Sequence, residues 1–167
     1  MSVVSERRVD TPIGELCLVA EADHLVAVLW ADEDPADRGF PDRRPSAGHA
    51  VLDSAAEQLT EYFAGTRTEF DIPLAPAGTD FQQQAWMALQ AIPYGETRTY
   101  AEQAAVIGRP AAVRAIGAAN GRNPIPIVVP CHRVIGADGS LTGFAGGVDT
   151  KRFLLDHEAA RRPDSSA

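Results

Sequence analysis

Two stretches of this chain spell the same helix-opening signal. Thr79-Asp80-Phe81-Gln82 and Thr99-Tyr100-Ala101-Glu102 each set a threonine three residues before a glutamine or glutamate, so that each side chain can accept a hydrogen bond from the other residue's backbone N–H at a helix start. After the first box, Phe81, Ala85, Ala88, Leu89 and Ile92 recur on one helical face until Pro93-Tyr94-Gly95 ends the run. After the second, a short helix reaches Ile107, Gly108 closes it, and Pro110 falls where a first-turn proline is tolerated. The pattern predicts a helix-turn-helix whose second helix runs from Pro110 to about Ala119, with Arg114 near its middle. That helix is otherwise Ala, Val, Ile and Gly, with almost no side chain able to contact base edges. It can be a buried helix whose small residues allow close packing. It can equally be a smooth face that presses on a groove with one arginine projecting, suited to work on any sequence.

The first half follows another pattern. Residues 9–30 alternate in the manner of paired strands, with Leu16-Cys17-Leu18-Val19 and Leu25 to Trp30 forming a hairpin around Ala22-Asp23-His24. Ala31 to Gly48, rich in Asp, Pro, Arg and Gly, reads as a mobile loop. Val51, Leu52, Ala55, Ala56, Leu59, Tyr62 and Phe63 return at helical spacing, and Gly65 supplies the stop. Phe70 to Leu74 is expected as a short edge strand, since Pro73 cannot donate to a ladder. Ala75-Pro76-Ala77-Gly78 marks the boundary between the halves. These signals predict an α+β fold with a small antiparallel sheet-and-helix domain over 1–76, a helical domain over 79–160 and a tail over 161–167.

A chain of 167 residues can bury one large core or two small ones. It shows no basic-then-apolar leader and no apolar run near ~20 residues, so no membrane association is expected and a cytoplasmic location is. Cys17 and Cys131 are the only cysteines, and no disulfide framework follows from two. Cys17, inside an apolar run, reads as a core residue. His24, His49, His132 and His157 show no zinc-ligand spacing, and no metal or other cofactor is expected.

The formal net charge of −8 argues against nucleic acid, because DNA binding rests largely on Lys and Arg neutralising phosphates. The distribution reverses that. Residues 1–78 hold 6 basic and 15 acidic side chains, whereas residues 79–162 hold 9 and 7. Between Thr97 and Arg133 the only acidic residue is Glu102, against Arg98, Arg109, Arg114, Arg122 and Arg133. A local basic face on an acidic protein can hold a duplex through few phosphate contacts.

Pro130-Cys131-His132-Arg133-Val134 brings a thiol beside an imidazole after the proline-punctuated run Asn123 to Val129. A free thiol with a pKa near ~8.5 is only about 3% thiolate at neutral pH, so a neighbouring base is what makes it a nucleophile. An isolated Cys-His pair is equally well a small buried hydrophobe and a surface histidine. In a regular strand the two side chains would point to opposite faces. Contact therefore requires either a turn at Cys131 or a water that relays the proton.

Pro130-Cys131-His132-Arg133-Val134, with Asn123-Pro124 and Arg114-Ala115-Ile116-Gly117 before it and Gly146-Gly147 and Leu154-Leu155-Asp156-His157-Glu158 after it, resembles the active-site region of the O6-alkylguanine-DNA alkyltransferases. The match spans residues 79 to 159 in unbroken order. The resemblance implies a ribonuclease H-like N-terminal domain and a winged-helix-like C-terminal domain that carries both the thiol and the DNA surface. It implies irreversible transfer of an alkyl group from O6 of guanine, and from O4 of thymine, to Cys131 in a single turnover without cofactor. The partner is double-stranded DNA containing O6-alkylguanine, and the protein is expected as a monomer in solution. By the same resemblance a proton relay runs from Cys131 through a water to His132, and from His132 directly to Glu158. Tyr100 contacts phosphate and the flipped guanine and donates its proton, while Asn123 buttresses the turn that exposes Cys131. Arg114 fills the vacated place in the stack, with Ala115, Gly117 and Arg122 along the DNA. Pro126, Val134, Phe144, Ala145 and Gly146 line the pocket, and the loop from Gly136 to Gly147, with Gly139 and Gly143, walls it.

The chain departs from a common family pattern at Phe144 and Ala145, where some relatives carry tyrosine and serine. Hydroxyl contacts near O6 are therefore missing from those side chains. A lesion-sensing or regulatory winged-helix protein without transfer is the rival binding-module reading, and a Cys-His-Glu peptidase or amidase the rival enzyme. The latter leaves the helix-turn-helix and its arginine unexplained.

Overall fold

The computed structural model describes residues 4–45, 48–141 and 144–161, and the chain divides into two compact units, residues 1–77 and 78–167. The fold is α+β. In the first unit, β1 (Val4–Thr11), β2 (Gly14–Glu21) and β3 (His24–Leu29) form an antiparallel meander. The β1–β2 turn is held by the Thr11 hydroxyl, which accepts from Ile13 N–H at 3.1 Å and donates to Gly14 O at 2.7 Å. Leu16 to Ala20 of β2 are all buried, so the central strand shows an unbroken apolar run rather than alternation. Cys17 packs among Val19, Val26, Ala27 and Leu29, and burial pushes its thiol up to about 12. It is a core residue, as the apolar run around it predicts. α1 (Ala50–Ala64) covers the sheet through Val51, Leu52, Ala55, Ala56, Leu59 and Tyr62, and ends at Gly65, whose φ of +81° is readily adopted only without a side chain.

Two expectations change here. The stretch 31–48 is not all loop: it holds a 3₁₀ turn at Pro35–Arg38 and β4 (Arg43–Pro45), which pairs in parallel with β1 and completes the order β3-β2-β1-β4. Arg43-Arg44-Pro45 has no apolar pattern to announce a strand; its backbone is extended because β1 offers an open edge. Phe70 to Leu74 shrinks to one bridge, Leu25 with Leu74, flanked by Leu25 N–H to Pro73 O at 2.8 Å and Ala75 N–H to Leu25 O at 3.0 Å.

The second unit begins with α2 (Asp80–Gln90), capped by the full Thr79–Gln82 box. Phe81 and Ala88 are half-buried and Trp86, unanticipated on that face, is buried, its indole N–H donating to Ala119 O at 2.9 Å. β5 (Arg98–Thr99) leads into α3 (Tyr100–Val106), capped by the Thr99–Glu102 box, and Gly108 reverses the chain at φ +75°. α4 spans Val113–Gly121, not Pro110–Ala119, and Arg114 is its second residue rather than a central one. Pro110 and Ala111 belong to the connecting turn, closed by Ala112 N–H to Arg109 O at 2.9 Å. No side chain caps α4, so nothing in the sequence marks its start. α3 and α4 are locked by a buried amide pair: Gln103 Nε2 to Asn120 Oδ1 at 2.9 Å and Asn120 Nδ2 to Gln103 Oε1 at 2.8 Å. After a 3₁₀ turn at Cys131–Arg133, β6 (Val134–Ile135) pairs in parallel with β5, and α5 (Val148–Arg161) ends the described chain. Gly143 and all of the 161–167 tail beyond Arg161 lie outside the described residues.

Candidate active site

Asn123 precedes a proline, which bars it from the helical region and ends α4's path. Its side-chain oxygen accepts from Ile125 N–H at 3.0 Å and its amide donates to Val129 O at 2.8 Å, so one residue holds both ends of the following loop. Cys131 N–H then bonds to Val129 O at 2.8 Å and Arg133 N–H to Pro130 O at 3.0 Å. The chain thus turns at Cys131 in a 3₁₀ turn, but the turn does not by itself join the thiol to the neighbouring imidazole.

Among the described residues Cys131 and His132 share no direct hydrogen bond. His132 is wholly buried, with Nε2 2.6 Å from Glu158 Oε2 and Nδ1 without a protein partner. Burial works to raise the pKa of Glu158, but the hydrogen bond from His132 and the hydrogen bonds and fixed charge of Arg133 hold it well below the ordinary carboxylate range. An ionised carboxylate accepts, so Nε2 carries the ring proton and Nδ1 the lone pair. Burial also lowers the pKa of His132 against the pull of Glu158, which keeps the ring neutral and able to act as a base.

The Cys131 thiol is buried and burial pushes it up to about 11; the side chain of Asn123 and the charge of Lys151 draw it back toward the thiolate. Lys151, on α5, is 1% exposed and its Nζ stands 5.8 Å from the centre of the Tyr100 ring and 6.0 Å from that of Phe144. Burial lowers the Lys151 pKa, and a charge on Cys131 would raise it. Tyr100, half-buried at the start of α3, also lies beside Gly117 of α4: a Cβ there would meet its ring at 3.9 Å, an ordinary contact.

Glu158 has more partners than the sequence suggested. Arg133 Nε reaches Oε1 at 2.8 Å and Nη2 reaches Oε2 at 3.0 Å, while Arg133 Nη1 donates to Ile92 O at 2.7 Å and Gly95 N–H to Glu158 Oε1 at 3.2 Å. Arg133 is therefore not part of a basic surface. Arg98 is half-buried and paired with Glu96 at 3.2 Å, which leaves Arg109, Arg114 and Arg122 as the exposed arginines of that stretch. Sequence reasoning missed both Arg133 and Lys151 as site residues. The available signal was spacing on α5, where Lys151, Leu154 and Glu158 fall on one face.

The remaining residues divide by exposure. On α4, Ile116, Ala119 and Asn120 are buried, while Val113, Arg114, Ala115 and Ala118 are exposed and Gly117 is half-buried; Arg122 is its exposed C-cap. Pro126 and Val134 are buried, Phe144 and Gly146 half-buried, and Ala145 is exposed. Among the described residues no cluster of His, Cys, Asp and Glu is arranged to hold a metal, and no helix is long and apolar enough to cross a membrane.

A buried thiol on a braced turn, a neutral imidazole held by an ionised carboxylate, and a helix with a small-residue outer face define a protein built for nucleophilic chemistry. Two family models match: the DNA-binding domain of 6-O-methylguanine DNA methyltransferase over residues 80–160 and its ribonuclease-like domain over residues 5–76. A methylated-DNA–protein-cysteine methyltransferase of Mycobacterium tuberculosis is 48% identical over 166 residues, 96% of each chain, and a constitutive one of Bacillus subtilis is 48% identical over 153 residues, 89% of this chain and 92% of the relative. The crystal structure of Mycobacterium tuberculosis OGT in complex with DNA superposes with a TM-score of 0.87 at 48% identity, covering 95% of each chain. The chain belongs to the 6-O-methylguanine DNA methyltransferase family.

Proposed function

We propose that this protein repairs double-stranded DNA directly by moving an alkyl group from O6 of guanine, and from O4 of thymine, onto Cys131. The observation that carries the reading is the thiol at the end of an Asn123-braced turn beside the His132–Glu158 pair. His132 Nδ1 takes up the thiol proton through a water, and Glu158 stabilises the imidazolium through Nε2. Lys151 favours the thiolate by its charge. The sulfur attacks the alkyl carbon, the bond from that carbon to O6 breaks, and guanine leaves with the electron pair and a proton from the Tyr100 hydroxyl. Tyr100 regains its proton as His132 gives up its own, so a thioether and an unmodified guanine are the net products.

Cys131 is only 7% exposed, so a base within a duplex must leave the stack to reach it. Arg114, projecting from the first turn of α4, fills the space it leaves. Ala115 and Gly117 let the helix backbone approach the groove, Arg122 meets phosphate, and α3 with α4 serves as a helix-turn-helix. Pro126, Val134, Phe144, Ala145 and Gly146 wall the pocket for the extruded base, with backbone groups contacting O6 where Phe144 and Ala145 lack hydroxyls. Residues 1–76 and 79–160 act as separate domains, and the protein works as a cytoplasmic monomer without a cofactor.

Incubation with a duplex carrying one O6-methylguanine should add one methylene's mass to the peptide containing Cys131. Binding without that mass gain would favour a lesion sensor instead. Arg114→Ala should slow repair in duplex DNA by ~10-fold or more, in line with lost unstacking assistance of a few kcal/mol, and leave reaction with the free alkylated base nearly unchanged. Equal losses on both substrates would place Arg114 in the fold or the chemistry.

A further inference from the structure

The loop that delivers Cys131 contains a backbone conformation that the repair chemistry does not by itself require. Ile127 has a φ of +73°. Left-handed backbone brings Cβ close to a carbonyl oxygen, and a β-branched residue tolerates this least. Among the described residues Ala22 is the one other non-glycine with positive φ, and it sits in the two-residue turn between β2 and β3, where such angles belong. Ile127 lies in no hairpin. Instead Val128 N–H donates to Pro126 O at 2.9 Å and closes a three-residue γ-turn of the rare, strained hand around it.

Three residues later the chain turns again in the relaxed hand. Pro130, at φ −82° and ψ 67°, is the centre of a second γ-turn closed by the Cys131 N–H to Val129 O bond. Between the two turns, Val129 N–H bonds Ile125 O at 2.9 Å, and the Asn123 side chain holds Ile125 N–H and Val129 O. Ile125, Ile127 and Val129 are each 0% exposed. Strain of this kind persists only where its surroundings over-determine it.

We infer that Ile127 is a positioning residue for alkyl transfer: its left-handed backbone, clamped by its own buried side chain and by the two hydrogen bonds of Asn123, fixes where the Cys131 sulfur stands. The inference rests on Cys131 being the acceptor. A residue at 127 that was free to leave the left-handed region would let Val128 to Cys131 swing, and displacement of a nucleophile by a fraction of an ångström already costs rate.

The test compares Ile127→Val, Ile127→Ala and Ile127→Gly by melting temperature and by the single-turnover rate of transfer from O6-benzylguanine as the free base, which removes duplex binding from the comparison. Glycine accepts positive φ without strain, so the Tm of I127G should exceed that of I127A by ~2–4 °C. The rates should run the other way, with I127G slower than I127A by ~10-fold because its turn is no longer locked. I127V keeps the branched side chain and should transfer close to the wild-type rate. A residue that merely packs makes rate follow stability, so the same order in both measurements overturns the inference. Should neither truncation fold, the sign of φ at Ile127, measured by NMR in the wild-type protein together with the I127V rate, decides: a negative φ or a slow I127V overturns it. Failure of the repair reading looks different, since wild-type Cys131 would then gain no benzyl group at all.

Discussion

The two units of this chain handle polar groups in opposite ways. Of the ten buried polar or charged side chains among the described residues, Ser5 and Gln58 belong to the first unit; Gln103, Asn120, Asn123, His132, Arg133, Lys151, His157 and Glu158 belong to the second. Three ion pairs of the first unit, Arg7–Asp53, Arg8–Glu15 and Arg67–Glu61, lie at the surface, and its interior is filled mainly with Leu, Val and Ala. The second takes an Arg–Glu–His cluster out of water. An apolar interior would be as stable or more so, because desolvating charges offsets most of their attraction. The buried groups instead hold helices together, as Gln103 and Asn120 do, or stand around Cys131 where the proposed reaction moves a proton, which is the pattern of a unit selected for geometry as well as stability.

Glu158→Gln breaks the cluster that most separates the units. It leaves Arg133 buried without its counter-charge, so it should cost ~3–5 kcal/mol in chemical denaturation and slow alkyl transfer by ~100-fold or more. An effect below about 1 kcal/mol would mean that the pair behaves like an exposed one.

Acid should unfold the second unit before the first. The folded pKa of His132 lies below its ordinary 6.5 because burial opposes its charge. Its contribution is therefore complete above that value and is lost as pH falls toward the folded one. The folded pKa of Glu158 lies below its ordinary 4.5, so its contribution is present above about 4.5 and is lost as pH falls through its folded value. Hydrogen exchange followed from pH 7 to 3 should show weakening first around His132 and, below about pH 4.5, around α5, while β1–β3 stay protected. Coincident loss would remove the distinction.

Gln103→Ala strands the Asn120 amide in the interior and should cost ~1–3 kcal/mol. The control at the far end of the scale is Arg7→Ala, whose partner Asp53 is 44% exposed and which should cost less than ~1 kcal/mol. Thermal melts of the two variants measure the contrast between a buried network and a surface pair.

What the sequence made legible was whatever local chemistry specifies alone. Thr79 with Gln82 and Thr99 with Glu102 cap helices through side chains only three residues apart, and Gly65 and Gly108 stop helices because a left-handed residue is needed there. Elements made by their surroundings were not legible. Arg43 to Pro45 is a strand because β1 has a free edge, and α4 begins at Val113 without any cap to mark it. At the candidate site, Cys131, His132, Glu158 and Asn123 are legible as parts of a motif in continuous order. Arg133, inside that same motif, reads in the sequence as surface charge, because its burial depends on Glu158 arriving from α5. Lys151 is not legible for the same reason, its place among Tyr100, Phe144 and Cys131 being a product of folding.

The most direct test of the account is a titration of the protein with excess duplex carrying O6-methylguanine, with Cys131→Ser as control. A thioether on Cys131 has no leaving group suited to mild reversal, and Cys17 is buried in the first unit. Repaired guanine should therefore plateau at one equivalent per active chain, matched by methylation of Cys131, while the serine variant yields none. Continued turnover beyond one equivalent, or full repair by Cys131→Ser, would contradict it.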